Sequence, residues 1–128
     1  YVLCGTTDDH ARNPAACGDG QGYRLTPAYD ICPQGRTGGE SSQAMLLTGQ
    51  RRDSRLIACL AAAPAFGLAA DQARALIDAQ LAVILRDRER VCAEAGLTLN
   101  QRRLLWRRQF LNPYWLEGYL DGVAIPDL

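Results

Sequence analysis

The run from about Ala70 to Ala95 constrains the fold more than any other part of the chain. Ala73, Leu76, Ile77, Leu81, Ile84, Val91 and Ala95 recur along it at helical spacing, and Gly96 supplies a C-terminal stop. A helix of this length must lay that stripe against other apolar elements. Its outer face carries Arg86, Asp87, Arg88, Glu89 and Arg90, the pattern of a solvated surface. A shorter helix precedes it, with Leu56, Cys59, Leu60 and Ala63 in phase. Asp53 or Ser54 is its expected N-cap, and Pro64 and Gly67 end it. After Gly96, Thr98-Leu99-Asn100-Gln101 forms a capping box. That box opens a helix expected to reach Leu111, lined by Leu99, Leu105, Trp106 and Phe110, before Asn112-Pro113. The aromatics at 114, 115 and 119 should pack the tail (114–128) back on the body.

The N-terminal third reads differently. Tyr1 to Leu3 reads as a short buried strand, followed by a polar loop over residues 4–13. Pro14 to Cys17 and Tyr23 to Thr26 read as the arms of a β-hairpin, joined by Gly18-Asp19-Gly20-Gln21-Gly22. That glycine run is not a phosphate loop, because a phosphate loop opens a helix and this one joins two short apolar segments. Positive φ angles in a β-turn account for it. Ile31 to Gln50 reads as an irregular surface excursion whose glycines predict mobility, and Gln43 to Leu47 is either a short strand or a helical turn. The fold class is mainly α (α+β), a helical bundle with a small β-hairpin, in a single domain spanning 1–128 with no repeats.

The chemistry concentrates in Thr7-Asp8-Asp9-His10-Ala11-Arg12-Asn13, with a further carboxylate at Asp30. A hairpin between them lets Asn13 and Asp30 face each other, with Asp8 or Asp9 just above. Such a cage suits Mg²⁺, which takes a few protein oxygens and completes its shell with phosphate and water. Asn13 lies five residues after Asp8, the interval by which kinase catalytic loops separate a base from a metal-holding Asn. An Asp beyond a hairpin then holds metal as well. Asp9 reads as a brace that accepts backbone N–H groups, or as the partner of Arg12. His10, the single histidine, reads as a structural residue beneath the loop, since one His without paired Cys makes no zinc site. Arg12 has a second reading, neutralising a transferring phosphoryl group. The bland reading of Asp8 is a turn-capping residue, and that of Asp30 a strand end.

Those two motifs, Thr7 to Asn13 and Leu25-Thr26-Pro27-Ala28-Tyr29-Asp30-Ile31-Cys32-Pro33, resemble the C-terminal half of HipA-family serine/threonine kinases. These are the toxins of bacterial toxin–antitoxin pairs. The likeness continues through Gln43-Ala44-Met45 and the following helices. It implies a protein-kinase-like C-lobe, with ATP as co-substrate and Mg²⁺ as cofactor. Asp8 would be the catalytic base, Asn13 and Asp30 the metal ligands, and Asp9, His10 and Arg12 would support the loop. The implied partners are a protein substrate (an aminoacyl-tRNA synthetase for one family member) and a DNA-binding antitoxin. Pro14 departs from the family pattern, in which the residue has a free amide N–H.

Composition sets limits on this reading. The chain has 128 residues, 14 Asp plus Glu and 14 basic residues, for a net charge of zero. That balance leaves no global nucleic-acid footprint, so no direct nucleic-acid binding is expected. Every basic residue is Arg and there is no Lys, whereas ATP-dependent kinases place a Lys on the phosphates. The expectation is therefore a C-lobe portion whose ATP lobe lies elsewhere, inactive on its own. The rival reading is a non-catalytic interaction module or split subunit. The arginines at 102, 103, 107 and 108, and at 51, 52 and 55, read as solvated helix faces. Cysteines 4, 17, 32, 59 and 92 form no C-x-x-C and read as small buried residues of a reducing cytosol. The longest apolar run, Leu60 to Ala70, is too short to span a membrane, and the expected location is cytoplasmic.

Overall fold

The computed structural model describes residues 1–34 and 38–120. Two short strands and four α-helices follow in order: β1 (Ala16–Gly18), β2 (Tyr23–Leu25), α1 (Leu56–Ala62), α2 (Ala70–Glu94), α3 (Leu99–Leu105) and α4 (Pro113–Leu116). Single 3-10 turns occupy Val2–Cys4 and Ala63–Phe66. The chain is α-rich with one two-stranded antiparallel sheet, as its patterning predicts.

The hairpin pairs Ala16 with Leu25, Cys17 with Arg24 and Gly18 with Tyr23. Its turn is stitched by the Asp19 carboxylate, which accepts the Gln21 and Gly22 N–H groups at 2.9 and 2.8 Å. Those backbone bonds hold the Asp19 pKa below its usual value. Gly20 takes the expected positive φ, 88°.

The core forms where α1, α2 and the C-terminal turns meet the N-terminus. Trp115 and Leu111 are fully buried at its centre, surrounded by Val2, Leu3, Leu56, Leu81, Leu116 and Tyr119. Asn112 caps α4 by accepting the Tyr114 N–H at 3.0 Å, with Pro113 in the first turn where a missing N–H costs nothing. The capping box at Thr98 and Gln101 is present.

Several expectations fail, each for a local reason. Tyr1 to Leu3 is not a strand: Cys4 and Gly5 donate back to Tyr1 and Val2 carbonyls, making a 3-10 turn that still buries Val2 and Leu3. Neither Asp53 nor Ser54 caps α1. The Asp53 carboxylate grips the Arg51 guanidinium at 2.7 and 3.0 Å, the Ser54 hydroxyl accepts the Gln43 amide at 2.8 Å, and Arg55 stands at the cap instead. The Arg51 hydrogen bond is the main reason the Asp53 pKa is lowered. The third helix stops at Leu105 rather than Leu111: Trp106 turns to extended backbone, and Arg107 and Leu111 follow at positive φ angles of 59° and 51°. The α2 stripe is only partly covered: Ala73 and Leu81 are buried, but Leu76, Val91 and Ala95 are exposed. Leu99 is exposed too. Gln43 sits in neither a strand nor a helix; the bridge Ser42–Asp53 anchors that stretch. The cysteines are free, and Cys17 and Cys32 are exposed rather than buried. The expected mobility at 35–37 and the packing of 121–128 lie outside the described residues.

Among the described residues no helix is long and apolar enough to cross a membrane. The C-terminal aromatics do pack back: the Tyr119 hydroxyl donates to Asp78 at 2.7 Å, and the Arg74 guanidinium lies 4.5 Å from its ring centre. Burial, then the Asp78 hydrogen bond and charge, push the Tyr119 phenol up to about 12. A raised pKa stabilises the fold below the unfolded value of 10.0, and that contribution fades as pH climbs toward about 12. Tyr119→Phe should cost about 1 kcal/mol, the net worth of one such bond, and remove that alkaline dependence. Urea midpoints measured at pH 8 and across pH 10–12 check both.

Candidate functional site

The loop from Gly5 to Asn13 leaves the core at a left-handed residue. Gly5 has φ 68°, and its Cα faces the Trp115 ring so closely that a Cβ there would lie 2.6 Å from Cη2. Thr6 is buried next, and the irregular course beyond it is pinned from outside. Gln34 N–H donates to the Gly5 carbonyl at 3.1 Å, and Ala44 N–H donates to the Thr7 carbonyl at 2.9 Å. The loop then closes a turn, with Asn13 N–H donating to the His10 carbonyl at 2.9 Å.

The hairpin returns the chain to this loop. Thr26 N–H donates to the Ala15 carbonyl at 2.9 Å, extending the ladder by one pair. The Tyr29 hydroxyl donates to the Arg12 carbonyl at 2.9 Å, and the Tyr1 hydroxyl donates to the Tyr29 carbonyl at 2.8 Å. Asp30 follows in left-handed backbone, φ 57°, a conformation that costs a non-glycine residue energy unless its surroundings impose it.

The anticipated residues divide clearly. Asn13 is buried, while Asp8, Arg12 and Asp30 are exposed and Asp9 and His10 are half-buried. Asp9 and Asp30 both act on the Tyr1 phenol, whose pKa is raised by burial first and then by these two charges. The two feet of the hairpin therefore share one electrostatic neighbourhood. The ion pair expected between Arg12 and Asp9 does not form among the described residues, because Arg12 is turned to the surface and contributes its carbonyl instead. Nor, among the described residues, do backbone N–H groups brace Asp9: its Oδ1 is buried with no partner among them.

That orphan has company. Among the described residues six buried side-chain polar atoms lack a hydrogen-bond partner, and four of them fall between Thr6 and Asn13: Thr6 Oγ1, Asp9 Oδ1, His10 Nδ1 and Asn13 Nδ2. Gln43 Oε1, in the segment that pins Thr7, is a fifth. Folded proteins leave few such groups unpaired, and each one asks for a bound ion, a water or a catalytic role. No three His, Cys, Asp or Glu side chains gather as a metal cluster among the described residues. The side chains that could hold a cation are of another kind, a carboxamide at Asn13 and a carboxylate at Asp30, one on each foot of the hairpin. Hard oxygens few in number suit Mg²⁺ that keeps water and phosphate in its shell. Burial pushes the Cys4 thiol pKa up, the direction opposite to that of an activated thiolate.

The family model for the HipA-like C-terminal domain matches residues 1–87. The chain belongs to that family. No curated protein and no solved structure matches it.

In this HipA-like domain the matched span holds the loop, the hairpin, α1 and most of α2. Residues beyond it brace segments that flank the site. Gln109 Nε2 donates to the Pro33 carbonyl at 3.2 Å, Trp115 Nε1 donates to the Ser41 hydroxyl at 3.1 Å, and Leu111 N–H donates to the Leu3 carbonyl at 3.3 Å. Sequence reasoning missed these props, and it missed the hydroxyls of Tyr1 and Tyr29. The one available signal was the tyrosine directly before Asp30; nothing local marks a partner 28 residues away.

Proposed function

We propose that this HipA-like domain is the C-lobe of a protein serine/threonine kinase and carries its phosphoryl-transfer site. The observation that supports the reading is the cluster of unpartnered buried polar atoms in Thr6–Asn13, at the foot of a hairpin whose other foot carries Asp30 in left-handed backbone. Unsatisfied and strained groups collect where a ligand completes the structure.

In this reading residues 1–128 form one domain, and Asp8 stands exposed at the mouth of the loop to orient a substrate hydroxyl and take its proton. The hydroxyl oxygen forms a bond to the γ-phosphorus of ATP, the bond from that phosphorus to the β–γ bridging oxygen breaks, and ADP departs. Asn13 and Asp30 would hold Mg²⁺, which supplies charge neutralisation on the phosphates when bound. Asp9, His10 and Arg12 shape the loop. Transfer of this kind relies on positioning and charge compensation more than on covalent help from the protein. The chain contains no Lys, so a lysine for the phosphates comes from outside these 128 residues. The proposed substrate class is a protein hydroxyl, and the proposed regulator, on the family resemblance alone, is a DNA-binding antitoxin.

The test measures Mg²⁺·ATP binding and phosphoryl transfer for this chain and for the complete gene product, side by side. We expect activity in the complete protein alone. Absence of both binding and transfer in the complete protein would replace this reading with a non-catalytic interaction module.

A further inference from the structure

We infer that Tyr29 and Tyr1 form a two-hydroxyl relay that sets the gap between Asn13 and Asp30, making Tyr29 a positioning residue for cation and nucleotide binding. The inference rests on the phosphoryl-transfer reading and deepens it.

Asn13 and Asp30 sit on opposite feet of the hairpin, and its ladder ends at the pair Ala15–Thr26. Below that pair no backbone hydrogen bond between residues 8–14 and 27–31 closes the feet among the described residues. Two phenols do so instead. Tyr29 reaches across to the carbonyl of Arg12, the residue before Asn13, at 2.9 Å. Tyr1 reaches from the N-terminal turn to the carbonyl of Tyr29, the residue before Asp30, at 2.8 Å. Each foot is thus held one residue from its proposed ligand. Val2 and Leu3, next to Tyr1, are buried in the core, so the relay is grounded in packed structure. The left-handed Asp30 follows immediately, and a strained residue keeps its geometry only when its flanks are held.

The two bonds act in series, so loss of either breaks the one path that runs from the N-terminal turn through Tyr29 to Arg12. Tyr29→Phe in the complete gene product should weaken Mg²⁺·ATP binding about 10-fold or more, as loss of groups that orient metal ligands does elsewhere. Tyr1→Phe should act in the same direction, and the double variant should fall short of the product of the two effects. Tyr23→Phe, on the exposed face of the same hairpin, should change nothing. Calorimetric titration with Mg²⁺·ATP reads the binding directly, and phosphoryl transfer against Mg²⁺ concentration separates a higher Mg²⁺ requirement from a lower kcat. Superimposable wild-type and Tyr29→Phe titrations would overturn the relay while leaving the kinase reading intact. A lowered Tm with unchanged binding would also overturn it, leaving the hydroxyl a structural role only. Wild-type protein that neither binds nor transfers sinks both.

Discussion

Gly5→Ala should destabilise the domain by about 2–5 kcal/mol and loosen the loop it introduces. Two costs add. An alanine held at φ 68° loses about 1–2 kcal/mol to the clash of its Cβ with its own backbone. Its Cβ would also sit 2.6 Å from Trp115 Cη2 and 3.0 Å from the Gln109 carbonyl oxygen. Trp115 is fully buried and its indole N–H is committed to Ser41, so the ring cannot swing aside. Overpacking of that kind costs about 1–3 kcal/mol. Gly67→Ala is the matched control: its φ is 69°, yet a Cβ there meets nothing within 4 Å. It should pay the backbone cost alone. The difference between the two urea midpoints isolates the contact with Trp115. Equal midpoints would mean that the ring does not brace the loop.

That contact packs the turn from which a costly loop departs. Each buried polar atom left unpaired costs about 1–3 kcal/mol, a large fraction of the stability of a small domain. Thr6, Asp9, His10 and Asn13 carry four of them within eight residues. Trp115 and Leu111, both fully buried, press against the same turn and help hold it in place.

The parts of the fold that were legible in the sequence are those with local causes. The Thr98–Gln101 capping box, the Asp19 turn and the span of α2 depend on residues a few positions apart, and all three form. The illegible parts have distant causes. Nothing between Leu97 and Leu111 breaks a helix by propensity, since the stretch lacks both Gly and Pro. The helix ends because long-range partners win: Leu111 N–H goes to Leu3, Gln109 to Pro33, and Trp106 receives the Arg88 guanidinium 4.5 Å from its ring centre. Asp53 and Ser54 look like caps until Arg51 and Gln43 claim their oxygens. The candidate site divides in the same way. Its residues were visible as a motif, but the phenols that close its hairpin were not, because Tyr1 and Tyr29 matter only once the chain has folded back.

Asp8→Asn in the complete gene product should lower kcat about 10²–10⁴-fold, the usual contribution of a positioned general base. The fold should hardly notice. Asp8 is exposed and makes no hydrogen bond or ion pair among the described residues, so the change in stability should stay within about 0.5 kcal/mol. Nucleotide affinity should hold as well, because a group that acts only on the transferring proton leaves ground-state binding alone. Asp30→Asn should behave in the opposite way, losing Mg²⁺·ATP affinity first and activity through it. The pair of variants therefore separates base from ligand on one protein: kcat falls at constant affinity for Asp8→Asn, and affinity falls for Asp30→Asn. Full phosphoryl transfer by Asp8→Asn would remove the base assignment. An Asp30→Asn titration identical to wild type would remove the ligand assignment, whatever Asp8 does.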